Sequence, residues 1–259
     1  MPTLRLDDFE LYYETSGNGT PLLFIHGLGS SARDWEAQIA AFAKDYFVIA
    51  VDLRGHGRSG DPPGPYRITD FSRDINRLLD HLGCGPAHVV GVSLGGGIAF
   101  QLALDAPERV RSLVVVNSAP EMILRTPLQK FAIWQRRKLV KWLGLPRFGQ
   151  ILSKKLFPGD PAQAQTFATR FAGNRERPYT DTLNALIGWS IADRLGEIRI
   201  PTLILAADQD YTPVDFKRAY TAQMPNAELV VIPDSRHALP MERPEAFNRA
   251  LAAFLGKPG

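Results

Sequence analysis

Apolar runs and amphipathic stretches alternate along the chain, and their periods predict its elements. Leu4 to Phe9 and Leu11 to Thr15 alternate apolar with polar around Asp7-Asp8, and Ser16-Gly17-Asn18-Gly19 forms a turn cluster, which predicts a hairpin-like meander. Pro21 to Ile25 and Phe47 to Val51 are continuous apolar runs, as expected of strands buried on both faces. Between them Trp35 to Phe42 has a helical period. Ile68 to Leu82 places Phe71, Ile75, Leu78, Leu79 and Leu82 on one helical face. Ala87 to Val92 then reads as a strand, Leu94 to Leu104 as a helix ended by Pro107, and Arg111 to Val116 as another strand. After a long interval Pro201 to Ala207 and Glu228 to Ile232 resume the strands, with helices predicted over Val214 to Gln223 and Pro244 to Leu255. Such alternation implies an α/β fold: a mostly parallel sheet of roughly eight strands, right-handed crossovers and helices on both faces.

The interval from about Pro120 to Leu195 lacks strand-like runs and is helical and aromatic, with Phe131, Trp134, Trp142, Phe148, Phe157, Phe167, Phe171 and Trp189. Residues 1–120 and 196–259 are therefore expected to form one core, and 121–195 a helical cap over the strand ends. The cap also concentrates charge. Residues 121–180 carry twelve Lys and Arg against three acids, net +9, which leaves −6 for the rest of a chain whose total is +3. A solvated basic face accounts for most of these residues singly, whereas the concentrated field would attract an acidic protein, a phosphate-bearing substrate or an anionic surface.

Bulk properties narrow the class. With 259 residues, 45% hydrophobic and 22% charged, the chain is long enough for a substantial core. No apolar run approaches the ~18 residues of a membrane span, and the first residues, Met1 to Asp8, lack the basic head and apolar core of a signal peptide. Cys84 is the one cysteine, so an intrachain disulfide is excluded and a reducing cytoplasm is the expected compartment. No His, Asp or Glu cluster has metal-ligand spacing, and neither metal nor cofactor is expected. The basic cap carries no nucleic-acid-binding motif, so no nucleic-acid partner is expected.

The chemistry centres on Gly91-Val92-Ser93-Leu94-Gly95, which fits G-x-S-x-G between a predicted strand and a predicted helix. That turn strains the serine backbone, lifts its hydroxyl clear of the sheet and leaves the Leu94 N–H at a helix start, aimed at a developing oxyanion. His26-Gly27-Leu28-Gly29 follows a buried strand at its C-terminal end, where open sheets place ligands, and the Leu28 N–H is the second oxyanion donor expected. His26 is read as a loop-ordering side chain, not a base, and His56 as part of the tight, charge-paired loop Asp52 to Gly60, which lacks the lysine of a phosphate loop. His81 and His88 receive no role. A serine needs an imidazole to take its proton and a carboxylate to orient that imidazole. Asp208 and Asp210 follow the strand ending at Ala207, and His237 follows the last strand, giving the order Ser, Asp, His at one sheet edge.

With these motifs, nearly the whole chain resembles the α/β-hydrolase superfamily, in its compact bacterial esterase and lactonase-like branch with a helical cap. His26 to Gly29 resembles the oxyanion loop, Asp52 to Ser59 the strand-four loop, Gly91 to Gly95 the elbow and Ser235-Arg236-His237 the histidine loop, with Arg236 where the family usually has glycine. The family's acid motif, Gly-x-x-Asp, is similar to Ala207 to Asp210, which favours Asp210 over Asp208. Haloalkane dehalogenases and epoxide hydrolases of this fold carry aspartate where Ser93 stands. The resemblance implies ester hydrolysis through an acyl-enzyme, with Trp134, Trp142 and Trp189 of the cap as substrate-lining candidates. A methyl esterase acting on an ester held by an acidic acyl carrier protein, as in the biotin pathway, a lactonase, amide- or carbon–carbon-bond hydrolase, and a ligand receptor of the same fold are the alternatives.

Overall fold

The computed structural model describes residues 2–256; Met1 and Lys257 to Gly259, the outer ends of the expected core, lie outside the described residues. Eight strands form one sheet in the order β1-β2-β4-β3-β5-β6-β7-β8. β1 (Thr3–Leu6) and β2 (Phe9–Ser16) are the meander, antiparallel to each other, and β2 is antiparallel to β4 (Tyr46–Val51). β3 (Thr20–Ile25), β4, β5 (Ala87–Val92), β6 (Val110–Val116), β7 (Thr202–Ala207) and β8 (Ala227–Ile232) are parallel neighbours. β3 and β4 end in four buried residues each and β7 is buried throughout, which is why their sequences read as continuous apolar runs.

The helices divide between the two faces. On one, α2 (Ile68–His81) and α3 (Leu94–Asp105) pack on the sheet, with Phe71, Ile75, Leu78 and Leu79 from α2 in the same core as Ile98, Phe100 and Leu102 from α3. α3 is apolar all round because it lies between the sheet and α2, with no solvent-facing stripe to maintain. On the other face, α1 (Glu36–Phe42) and the C-terminal helix α9 (Pro244–Leu255) build a second core in which Phe24, Trp35 and Phe247 pack together. Cys84 is buried, and burial pushes its thiol pKa up, away from the reactive thiolate.

The segment between β6 and β7 is helical: α4 (Pro127–Leu156), α5 (Pro161–Ala172) and α6 (Glu176–Leu186), closed by one antiparallel bridge between Glu121 and Ser190. Gly144 breaks α4 with φ +69°, a conformation costly for any residue with a Cβ, and Pro146 follows. Phe148, Phe167, Phe171 and Tyr179 form a third core, joined by Leu28 and Met241 from the body of the protein. Part of the segment's positive charge is matched locally: Arg125 pairs with Glu121, Arg170 with Asp34 and Glu36, and Arg177 with Asp61 and Asp181. No helix among the described residues is long and apolar enough to cross a membrane. α7 (Val214–Thr221) and the short α8 (Leu239–Glu242) complete the chain.

Candidate active site

Ser93 stands where β5 turns into α3, with φ +55° and ψ −115°, one of three non-glycine residues of positive φ among the described residues. The turn is locked on both sides. The Ser93 N–H donates to the Val116 carbonyl at 2.9 Å, and the Ser93 carbonyl accepts from Gly96 and Gly97 N–H and from the Ser118 hydroxyl at 2.7 Å. A Cβ on Gly91 would strike the Gly95 carbonyl and one on Gly95 the Ile25 carbonyl, so backbone packing itself requires glycine at both places. The loop after β3 lies directly against this elbow: a Cβ built on Gly27 would stand 3.5 Å from that of Ser93. Leu28, Leu94, Ser93 and His237 line one cavity of about 350 Å³.

His26 and the Asp52 loop support this arrangement from beneath. His26 is fully buried; its Nε2 accepts from the Leu53 N–H at 3.0 Å, which leaves the proton on Nδ1 to donate to the Gly27 carbonyl at 2.7 Å. Burial lowers its pKa, so it is a neutral strut. His56 is also buried, and burial with His26 nearby pushes it down to about 3. Asp52 accepts from the Ala32 N–H (2.7 Å), the Arg58 N–H (2.8 Å) and Arg58 Nε (2.9 Å), closing its own loop and tying it to the segment after β3.

Asp210 and His237 meet across the ends of β7 and β8, the His237 Nδ1 donating to Asp210 Oδ1 at 2.6 Å. Asp208 faces elsewhere: its two oxygens accept from the N–H groups of Asp234 (3.1 Å) and Ser235 (3.0 Å), so it caps the loop that carries His237. Arg236 fills the position next to His237 by bonding Glu242 twice, through its backbone N–H (2.5 Å) and Nη1 (2.9 Å). The Tyr211 ring stacks on the His237 ring, 4.4 Å between centroids and 29° between planes.

Two further residues complete the network, and motif reading passed over both. Lys217 on α7 is fully buried, and its Nζ reaches Asp210 Oδ2 at 2.5 Å, Asn117 Oδ1 at 3.2 Å and the Thr212 carbonyl at 3.2 Å. Three acceptors match the three N–H donors of an ammonium group, so the protonated lysine fits the site. Burial works to raise the Asp210 pKa, but His237 and Lys217 outweigh it and hold the carboxyl well below its usual range. Lys217 is itself pulled below its ordinary value by burial, with Asp210 opposing. Asn117, at the end of β6 with φ +44°, donates to the carbonyls of Arg236 (3.0 Å) and His237 (3.1 Å) and accepts from the Ala207 N–H (2.8 Å). The available signal was a lysine on the face of α7 shared by Tyr220 and Thr221.

The tryptophans expected as cavity lining divide. Trp189 does line the cavity, with its indole N–H on Gln101 at 2.8 Å. Trp134 and Trp142 do not: they are 51% and 69% exposed on the outer face of α4, with Lys138 beside both rings, because Val140 takes the buried side of that helix. Among the described residues no group of three or more His, Cys, Asp or Glu side chains is placed to hold a metal.

The chain is similar over almost its full length to known sequences and solved structures. A protein of Azorhizobium caulinodans, provisionally named as the carbamate hydrolase RutD, is 32% identical over 280 residues that span 99% of each chain. 3-Oxoadipate enol-lactonase 2 of Acinetobacter baylyi is 33% identical over 262 residues, 98% of this chain and 96% of that one. The structure of a thermophilic esterase from Thermogutta terrifontis superposes with a TM-score of 0.87 at 27% identity, covering 95% of this chain and 93% of the other. Residues 20–244 match the family described as alpha/beta hydrolase fold, and the chain belongs to that family.

Proposed function

We propose that the chain is a serine hydrolase of carboxylic esters, with residues 1–120 and 196–259 as its catalytic core and 121–195 as a cap over the cavity. The observation that carries this reading is the convergence, on one cavity, of a strained serine at a strand-to-helix turn and a histidine bonded to a buried carboxylate. The relatives named as an enol-lactonase, a carbamate hydrolase and an esterase support acyl transfer to water as the reaction class.

Ser93 Oγ attacks the substrate carbonyl while His237 Nε2 takes its proton, and Asp210 holds the Nδ1 proton and steadies the imidazolium. The Leu28 and Leu94 N–H groups receive the oxyanion. Collapse of the intermediate breaks the bond to the alcohol oxygen, to which His237 returns the proton, leaving an ester on Ser93. Water, deprotonated by the same histidine, adds to that ester and releases the acid and the free serine. An ester borne by an acidic carrier protein has less behind it, since Arg125, Arg170 and Arg177 of the basic cap already face acids of this chain.

Initial rates on 4-nitrophenyl esters of increasing acyl length, with Ser93→Ala as blank, test the proposal. A length optimum lost by at least about 1,000-fold in the variant is expected. Equal rates in the two proteins would exclude Ser93 as the nucleophile.

A further inference from the structure

The cavity holds three carboxylates besides whatever enters it, and each already has a cation or donor of its own. Asp210 is held by Lys217 and His237, Glu121 by Arg125, and Asp34 by Ser30 and Arg170, with burial raising the Asp34 pKa toward its neutral form. The reverse accounting is unbalanced. Arg136, on the inner side of α4, lines the same cavity and makes no ion pair among the described residues.

Arg136 is nevertheless well held. Its Nε and Nη2 donate to the Tyr179 hydroxyl at 2.8 and 2.5 Å, and its guanidinium carbon lies 5.7 Å from the Phe148 ring centre and 5.6 Å from that of Tyr179. Both rings belong to the buried core of the insertion, so the guanidinium is fixed before any ligand arrives. Two of its five N–H groups are used by Tyr179, which leaves the Nη1 end for a ligand. Arg136 shares its cavity with Ser93, with His237 and with Tyr211, whose ring stacks on His237. The surrounding wall is apolar, with Leu152, Leu156, Phe167, Leu183 and Leu186, so an anion seated on Arg136 is poorly screened by water.

We infer that Arg136 is a specificity-determining residue that receives a second, ionised carboxylate on the substrate, so that the preferred substrates are monoesters or lactones of dicarboxylic acids. This rests on the hydrolase reading of the cavity. A guanidinium matches a carboxylate in a planar, two-bond geometry that no neutral acyl chain offers, and an apolar chain of equal length would leave the Nη1 donors of the half-buried guanidinium without an acceptor from the substrate.

The test pairs substrates of equal length: mono-4-nitrophenyl glutarate against 4-nitrophenyl valerate, with the succinate and adipate monoesters to find the span. The wild-type protein is expected to favour the charged ester in kcat/KM, and Arg136→Met to reduce that preference about 10- to 100-fold, with Arg136→Lys between. An unchanged ratio in Arg136→Met, or an equal loss on both esters, overturns the inference. Binding of glutarate and adipate to Ser93→Ala, followed by calorimetry, provides a readout free of turnover. Binding that weakens at least tenfold with Arg136→Met and falls with salt supports the assignment, and absence of binding to the folded protein overturns it. If glutarate binds through Arg136 but no ester is hydrolysed, the hydrolase reading fails alone; hydrolysis without charge preference fails the carboxylate assignment alone.

Discussion

Replacing Lys217 by methionine keeps the length of the side chain and removes its charge, leaving Asp210 Oδ2 with the Thr212 hydroxyl at 2.8 Å as its remaining partner. The ion pair is 2.5 Å long, and the side chains are 0% and 1% exposed. Removing one member of a buried pair costs about 3–5 kcal/mol, because the surviving charge stays desolvated. Since His237 and Thr212 still serve Asp210, the lower end, about 3 kcal/mol, is expected. In a chain of this length that is a fall of about 6–12 °C in Tm. The pH dependence follows from the direction of the Asp210 shift. A carboxyl whose folded pKa lies below its unfolded value contributes stability that is full above the ordinary carboxylate range and is lost as pH falls through the folded pKa. The difference between wild type and Lys217→Met is therefore full at pH 7 and closes below about pH 4. Thermal melts of wild type, Lys217→Met, Asp210→Asn and the double variant form a cycle. The double variant should be more stable than Lys217→Met, since it no longer buries an orphan anion, with a coupling of about 2 kcal/mol or more. In ester turnover, kcat should fall about tenfold with KM little moved, as Asp210 loosens its hold on the histidine. A coupling near zero, or a melting loss that does not shrink as pH is lowered from 7 to about 2, would refute the reasoning.

Asn117→Ala removes the donors to the Arg236 and His237 carbonyls and the acceptor for the Ala207 N–H, so the histidine loop should drift; a kcat loss of about 10- to 100-fold, read by steady-state kinetics, is expected, and an unchanged kcat would show that the loop is held by other bonds. Phe171→Ala empties a fully buried site against Phe148, Phe167, Tyr179 and Gly29, and chemical denaturation should register a loss of about 3–5 kcal/mol; a loss below about 1 kcal/mol would mean that the insertion does not pack on the loop after β3 in this way.

What the sequence disclosed and what it hid differ in range. β3, β4 and β7 are legible because burial on both faces leaves continuous apolar runs, and α2 because Phe71, Ile75, Leu78 and Leu79 recur at the helical period. The elbow is legible because its motif is only five residues long, although its constraints reach further: a Cβ on Gly91 would strike the nearby Gly95 carbonyl, and one on Gly95 the distant Ile25 carbonyl. The hidden parts are contacts between distant residues. Lys217 lies 100 residues from Asn117, and Arg136 43 from Tyr179. Nothing in a local pattern tells a buried lysine from a solvated one. Trp134 and Trp142 misled for the same reason: aromatic content predicts burial, but Arg136 and Val140 hold the inner side of α4, and the break at Gly144 sets where that side faces. Asp208 and Asp210 are two residues apart, and only the loop path separates one that caps N–H groups from one that meets His237.

The bonds around the cavity are unevenly distributed, and that asymmetry bears on how specificity can change. The histidine loop is held from three directions: Asp208 accepts two of its N–H groups, Asn117 donates to two of its carbonyls, and Glu242 takes Arg236 twice. Ser93 is held by Val116 and Ser118. These ties run among loops at the C-terminal ends of β5 to β8, so under the proposed mechanism a substitution there disturbs geometry on which every substrate depends. Arg136, by contrast, hangs on one tyrosine hydroxyl and two ring faces inside the insertion. Exchange of Arg136 with its Tyr179 partner leaves the bonds around Ser93, Asp210 and His237 intact, because none of them passes through α4 or α6. Substrate choice on this chain is therefore separable from its chemistry: a paired change such as Arg136→Leu with Tyr179→Phe should move preference from charged toward neutral acyl groups. Paired changes at Asn117 and Lys217 should lower the rate on all of them alike.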